Sequence, residues 1–205
     1  DRLRSRGLGD VYKRQLLLST RFIPRFGLQR GIAFSIFHAV SAFCNAGFDL
    51  MGYEEAYASL VSFEGDVLVN MVVMFLILTG GIGFIVWDDL MRNKWHFKKY
   101  LLHTKIVLTF TIGLTVIATI AFLVLEKHGV LAGLTPVEKA LGAAFCSVTP
   151  RTAGFNTTDV AGLSNAGKLL TILLMFIGGS PGSTAGGAKT TTIAVSYTHL
   201  RAHET

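Results

Sequence analysis

Two Ala-Gly-Phe triplets stand at 46–48 and 153–155, each after a short uncharged apolar run. Glycine reaches backbone conformations closed to other residues and carries no side chain. A segment built on Gly47 or Gly154 can therefore turn bare carbonyls toward a narrow axis. Carbonyl oxygens so arranged can replace the hydration shell of an alkali cation. The candidate filter residues are Asn45, Ala46, Gly47 and Phe48 in one segment and Thr152, Ala153, Gly154 and Phe155 in the other. Gly47 and Gly154 are the first choice, and their neighbours supply carbonyls or packing. One triplet alone would be explained by a turn or by helix packing. Two, each following a matching short helix, favour coordination.

A third glycine-rich stretch, GGSPGSTAGG at 178–187, interrupts the apolar run that begins after Lys168. Gly178, Gly179, Pro181, Gly182, Gly186 and Gly187 oppose a continuous helix. Together with Ser180, Ser183, Thr184 and Ala185 they predict a break at membrane depth. Small residues also let helices pack closely in lipid, which is the structural alternative. Lys189 follows at once, where an interfacial charge is costly and informative. The spacing of Gly182 and Gly187 approaches that of a phosphate-binding P-loop, but Ala188 separates Gly187 from Lys189. The preceding element is also a membrane helix and not a strand, so nucleotide hydrolysis is rejected. His38, His96, His103 and His128 form no catalytic or metal cluster, and His199 and His203, four apart, fall in an end segment set aside below. Cys44 and Cys146 lack metal-ligand spacing. No enzyme activity and no cofactor are expected.

These residues need a membrane scaffold. Of 205 residues, 51% are apolar and only 16% charged, against about 25% charged in soluble domains. That excludes a disordered chain, a coiled coil and a basic nucleic-acid module, so no nucleic-acid partner is expected. Residues 67–86 and 106–125 are uncharged stretches of 20, each long enough to cross a hydrocarbon core of about 30 Å as a helix. LLLS at 16–19 reads as the tail of a truncated helix. GIAFSIFHAVSAF at 31–43 and the segment around 141–148 are too short to cross, and read as re-entrant. The expected fold is an all-α polytopic membrane protein of repeated helix, re-entrant pore loop and helix around a cation pore.

Loop charge sets the orientation. Residues 88–105 carry five basic and two acidic side chains, predicting a cytoplasmic loop and an outer opening for both re-entrant segments. Arg21, Arg25 and Arg30 then fall on the outer side, against the rule. Asp49, Glu54, Glu55, Glu64 and Asp66 follow the first segment with no basic residue between 31 and 87. Such a mouth either concentrates cations or is merely solvated. The ends, DRLRSRGLGDVYKRQ and SYTHLRAHET, resemble translated sequencing-adapter read-through. Segments 1–15 and 196–205 are accordingly set aside as non-native.

The repeats share letters: AFC at 42 and 144, AGF at 46 and 153. The second copy carries extra residues between its triplets. The organisation is a pore repeat at 16–87, the basic loop 88–105 and a second pore repeat with the glycine-rich loop at 106–195. Internal repeats commonly build transport pathways at their interface. FHAVSAFCNAGFDLMG, SVTPRTAGFNT and MFIGGSPGSTAGGAKTTT resemble the Trk/Ktr/HKT potassium-transporter superfamily, and within it the B-type membrane component of bacterial Ktr systems. The resemblance implies four repeats around one pore, of which this chain matches the second and third. It implies K⁺ held by the backbone carbonyls of the eight filter residues, with sodium dependence open. It makes 178–187 and Lys189 an intramembrane gating loop beneath the filter. It also implies a multi-pass subunit of the bacterial plasma membrane, in contact with lipid, dimeric when intact, and bound to a cytoplasmic nucleotide-binding regulatory ring.

Overall fold

The computed structural model describes residues 2–53, 56, 58–94 and 96–192. These form seven α-helices: α1 (Arg2–Phe26), α2 (Leu28–Phe43), α3 (Val67–Gly81), α4 (Phe84–Asn93), α5 (Leu102–Leu125), α6 (Pro136–Val148) and α7 (Asn165–Phe176). The expected all-α architecture is what the described residues adopt, and their lone β-bridge joins Ile177 to Ala188.

The stretch read as a helix tail at 16–19 belongs to a much longer helix. α1 is continuous from Arg2 to Phe26 and contains Pro24 near its end. Gly27, at φ 80°, is the whole connection to α2. The two helices then lie so close that a Cβ on Gly31 would stand 2.6 Å from the Cα of Ile23. Phe22 and Leu18 are fully buried in the core that α1, α2 and α3 share with Phe63, Phe145 and Phe155.

The apolar stretch 67–86 is not one straight span, contrary to the sequence expectation. α3 stops at Gly81 and the chain turns by 99° into α4. Hydropathy could not reveal the turn, because both sides of it are apolar. Gly83, at φ 87°, makes the corner. The backbone groups freed there are taken up by the distant loop 180–184: Gly81 O accepts from Ser180 N–H (3.0 Å) and Phe84 N–H donates to Gly182 O (3.1 Å). A break at membrane depth survives only when such partners exist. At its other end α3 is capped by Asp66, whose carboxylate accepts from the Leu68 and Val69 amides and pairs with Arg21 at 3.1 Å.

Among the described residues α5 is the single helix that alone has the length and apolarity to span a membrane. At 24 residues it reaches about 36 Å. Its exposed face carries Ile112, Val116, Ile117, Ile120 and Val124. The segment 88–105 is helical at both ends, since it holds the last residues of α4 and the first of α5. α6 starts at a capping box, Thr135 with Glu138, and has Pro136 in its first turn. α7 starts at Ser164, whose amide and hydroxyl both donate to the Glu126 carboxylate at 3.0 and 2.6 Å. That buried glutamate ties the end of α5 to the beginning of α7.

Candidate functional site

α2 and α6 have 16 and 13 residues, both short of the roughly 20 needed to cross. Each halts at one of the glycine segments. The AFC triplets do not occupy equivalent places. The one at 42–44 straddles the end of α2, whereas Cys146 is still inside α6, which continues to Val148. The additional residues of the second copy thus lengthen its helix.

Past the helix ends the two copies converge. Ser41 accepts from the Ala46 N–H at 2.9 Å, and its hydroxyl donates to Phe48 O at 2.7 Å. Thr149 does the same in the second copy. Its carbonyl accepts from the Ala153 and Gly154 amides (3.0 and 3.2 Å), and its hydroxyl donates to Phe155 O. Positive φ recurs at matching places: Asn45 (50°) and Gly47 (70°), then Thr152 (83°) and Gly154 (92°). In both segments the intervening alanine, Ala46 or Ala153, stays outside that region. Sequence reading singled out the glycines and missed Ser41 and Thr149. The signal was there, a hydroxyl residue before each Ala-Gly-Phe, but at different offsets.

The segments also touch one another. A Cβ on Gly47 would run into the carbonyl oxygen of Ala153 and stand 3.1 Å from the Cα of Gly154. Gly154 faces Gly47 across an ordinary contact, its own Cβ position lying 3.7 Å from the Cα of Gly47. The two phenylalanines differ. Phe155 is fully buried, while Phe48 is 70% exposed. His38, buried in α2, packs within 6.2 Å of the Phe155 ring and edge-on to Phe22. It donates from Nδ1 to Phe34 O (2.7 Å), which leaves Nε2 to accept from the Leu50 amide at 3.4 Å. That tautomer makes His38 a brace for the chain just past the first segment. Arg151 was not singled out from sequence. It is buried in the second segment, and its guanidinium donates to Thr115 Oγ1 (3.2 Å) on α5.

The glycine-rich loop folds as a closed hairpin. α7 ends at Phe176, Ala188 N–H donates to Phe176 O (3.1 Å), and Gly178 N–H donates to Ala188 O (3.0 Å). Gly178 and Gly186 are in such close contact that a Cβ on Gly178 would collide with Gly186 O. Ser180 donates to Ile82 O at 2.6 Å, Ser183 to Ser180 O at 2.6 Å, and Lys189 Nζ to Ala185 O at 2.6 Å. The loop reaches the first glycine segment through Thr184 beside Asn45 (3.4 Å), and a Cβ on Gly186 would come within 3.9 Å of Thr152 Cγ2 in the second.

Of the acidic residues expected at the outer mouth, Glu54 and Glu55 lie outside the described residues. Asp66 is spent on Arg21 and the α3 cap. Asp49 accepts from the Met51 amide at 3.0 Å. Burial, and then the nearby Glu138 carboxylate, lifts the Glu64 carboxyl above its ordinary range. Hydrogen bonds from the amide and hydroxyl of Thr135 hold Glu138 below that range. His199 and His203 also lie outside the described residues.

Among the described residues, an all-helical framework with half-length helices halting at paired glycine segments is the architecture of a polytopic membrane protein. The chain belongs to the TrkH cation transport protein family, which matches residues 14–204; it is a family of transporters and not of enzymes. The potassium/sodium uptake protein NtpJ of Enterococcus hirae is 48% identical over 186 residues, covering 90% of this chain and 40% of that protein. The Ktr system potassium uptake protein B of Bacillus subtilis is 45% identical over 190 residues, covering 92% and 41%. The chain thus spans about two fifths of the length of these relatives. The crystal structure of the potassium transporter TrkH from Vibrio parahaemolyticus superposes with a TM-score of 0.65 at 18% identity, over 97% of this chain and 47% of that one. The fold is therefore shared with it.

Proposed function

We propose that this chain is the middle portion of the pore-forming subunit of a K⁺ uptake system, contributing two of four filter segments. The observation that carries the reading is the contact of Gly47 with Ala153 and Gly154, where two segments of matching φ pattern approach one axis. Alternation of positive and negative φ turns successive carbonyls to a common side, as cation coordination by a backbone requires. α2 and α6 both end at these segments, so the negative ends of their dipoles favour a cation there. K⁺ moves down its electrochemical gradient through carbonyls of Asn45 to Phe48 and Thr152 to Phe155. The names of the relatives from Enterococcus hirae and Bacillus subtilis support potassium as cargo, and the former leaves sodium open.

The loop 178–187, with Lys189, acts in this reading as the gate below the filter. Its support is that the loop spends its hydrogen bonds on the α3–α4 corner, where another arrangement of the same groups would leave the pathway open. The intact subunit sits in the bacterial plasma membrane as a homodimer and is controlled by a cytoplasmic nucleotide-binding ring. The test is ⁸⁶Rb⁺ uptake in potassium-auxotrophic cells expressing a complete subunit that contains this chain. Saturable uptake that rescues growth at low K⁺ is the expected result. Verified membrane insertion without uptake would favour a non-conducting scaffold whose glycines serve only packing.

A further inference from the structure

Thr184 occupies a singular place in the loop. Its Oγ1 donates to Phe43 O at 3.0 Å. Phe43 is the last residue of α2, and the final carbonyls of a helix have no helical N–H to accept from. The Asn45 amide nitrogen turns to the carbonyls of Ile77 (3.2 Å) and Ala42 (3.3 Å), and the Thr184 hydroxyl, its one hydrogen given to Phe43 O, packs 3.4 Å from the amide oxygen without bonding it. Thr184 N–H donates to Gly80 O at 3.3 Å. Gly80 presses so closely on Phe43 O that its own Cβ would collide there. The contact leaves no room beside Gly80 for a substitute donor.

We propose that Thr184 is a positioning residue that joins the loop to the first filter segment, so that loop movement changes ion discrimination as well as conductance. The proposal rests on the reading of 178–189 as a gate and of 45–48 as a filter. Asn45 holds a left-handed conformation, φ 50°, two residues before Gly47. Asparagine enters that region more readily than most residues, and the contacts of its amide fix it there. Its amide is held by Ala42 on α2 and Ile77 on α3, while Thr184 on the loop holds the Phe43 carbonyl two residues before it. Withdrawal of the loop leaves Phe43 O without its donor in a tight contact. A buried carbonyl that loses its partner is costly. The end of α2 then shifts to recover one, carrying Asn45 and Gly47 with it.

The test uses Thr184→Val in the complete subunit, which keeps the side-chain shape and removes the donor. Thr184→Ser, which restores the donor, is its rescue. Membrane abundance is measured alongside Na⁺ competition against ⁸⁶Rb⁺ uptake. Loss of one such hydrogen bond predicts a fall in K⁺ over Na⁺ discrimination of about two- to tenfold at unchanged abundance. Thr184→Ser should return most of it. Thr184→Cys, a weak donor of similar size, replaces the valine variant if that protein fails to reach the membrane, with a smaller fall expected. Gly154→Ser separates the possible failures. Normal discrimination in Thr184→Val, together with loss in Gly154→Ser, overturns the coupling alone. Normal discrimination in both overturns the filter assignment and the coupling with it.

Discussion

Gly47 lies against the carbonyl oxygen of Ala153 so closely that no side-chain atom fits between them. The contact joins the two glycine segments directly, and it ranks the two glycines. The sequence treats Gly47 and Gly154 as equivalent repeat positions, but their surroundings differ. Gly47 has both a positive φ and a steric wall, whereas Gly154 has the positive φ and ordinary space.

Gly154→Ser should therefore reach the membrane and show weakened K⁺ over Na⁺ discrimination. A residue with a Cβ is strained at φ 92°, and its hydroxyl adds a ligand beside the carbonyls. Gly47→Ser should be more severe, lowering protein abundance and flux together, because the second segment must retreat. Gly113→Ser, on α5 where nothing lies within 4 Å of the new Cβ, is the control and should keep wild-type discrimination. Competition of Na⁺ with ⁸⁶Rb⁺ uptake, normalised to membrane protein, reads all three. Wild-type discrimination in abundant Gly154→Ser protein would end the filter assignment.

Glu64 supplies a pH-dependent prediction. Its carboxyl is raised by burial and by Glu138, so its ionised form is disfavoured in the folded chain. A raised carboxyl binds its proton more tightly when folded, and so the fold loses stability as pH rises through the unfolded and then the folded pKa. Glu64→Gln removes that loss. Thermal unfolding in detergent should show a small upward shift of the midpoint at pH 7.5 and essentially none at about pH 3, where the Glu64 carboxyl is protonated in both states. The opposite sign at pH 7.5 would show that the Glu64 charge is stabilising.

Much of this arrangement was legible in the residues. The short apolar runs, the paired Ala-Gly-Phe triplets and the glycine-rich break each lie on the helix ends that the structure has. The 99° corner after Gly81 was not, because hydropathy is blind to direction and 67–86 is apolar throughout. What makes that corner tenable is Ser180 and Gly182, a hundred residues away, and no local pattern carries such a partnership. Ser41 and Thr149 were hidden for another reason. Their equivalence lies in a hydroxyl-to-carbonyl bond, which tolerates a change of one residue in spacing. The sequence placed His38 in no catalytic or metal cluster, and the structure seats its ring among Phe22, Phe34 and Phe155.

The length of chain makes a further prediction. If the pathway needs four filter segments, as proposed above, the two carried here leave a cation half hydrated. The 205-residue chain reconstituted in liposomes should not give K⁺-selective ⁸⁶Rb⁺ flux. Selective flux from the chain by itself would mean either that copies assemble to complete the ring or that two segments suffice. Crosslinking in the same liposomes distinguishes these.

The last prediction concerns the hold of the loop on the α3–α4 corner. The Ser180 hydroxyl, 1% exposed, donates to Ile82 O at 2.6 Å. If the loop must leave the corner for the pathway to open, that bond belongs to the closed arrangement alone. Removing it with Ser180→Ala then destabilises the closed state by about 1 kcal/mol, which multiplies the ratio of open to closed molecules by about five. Basal ⁸⁶Rb⁺ flux of the complete subunit without its regulator should rise accordingly, while flux at full activation, already dominated by open molecules, should barely change. Shortening the segment between Gly178 and Gly187 should raise basal flux further and weaken regulation. It should also cost stability, because Gly81 O and the Phe84 amide lose their partners at the corner. Ser180→Ala disturbs far less and is the cleaner variant. Unchanged basal flux in Ser180→Ala, at normal abundance, would show that the hydrogen bond persists in the conducting state and that the loop stays fixed to the corner.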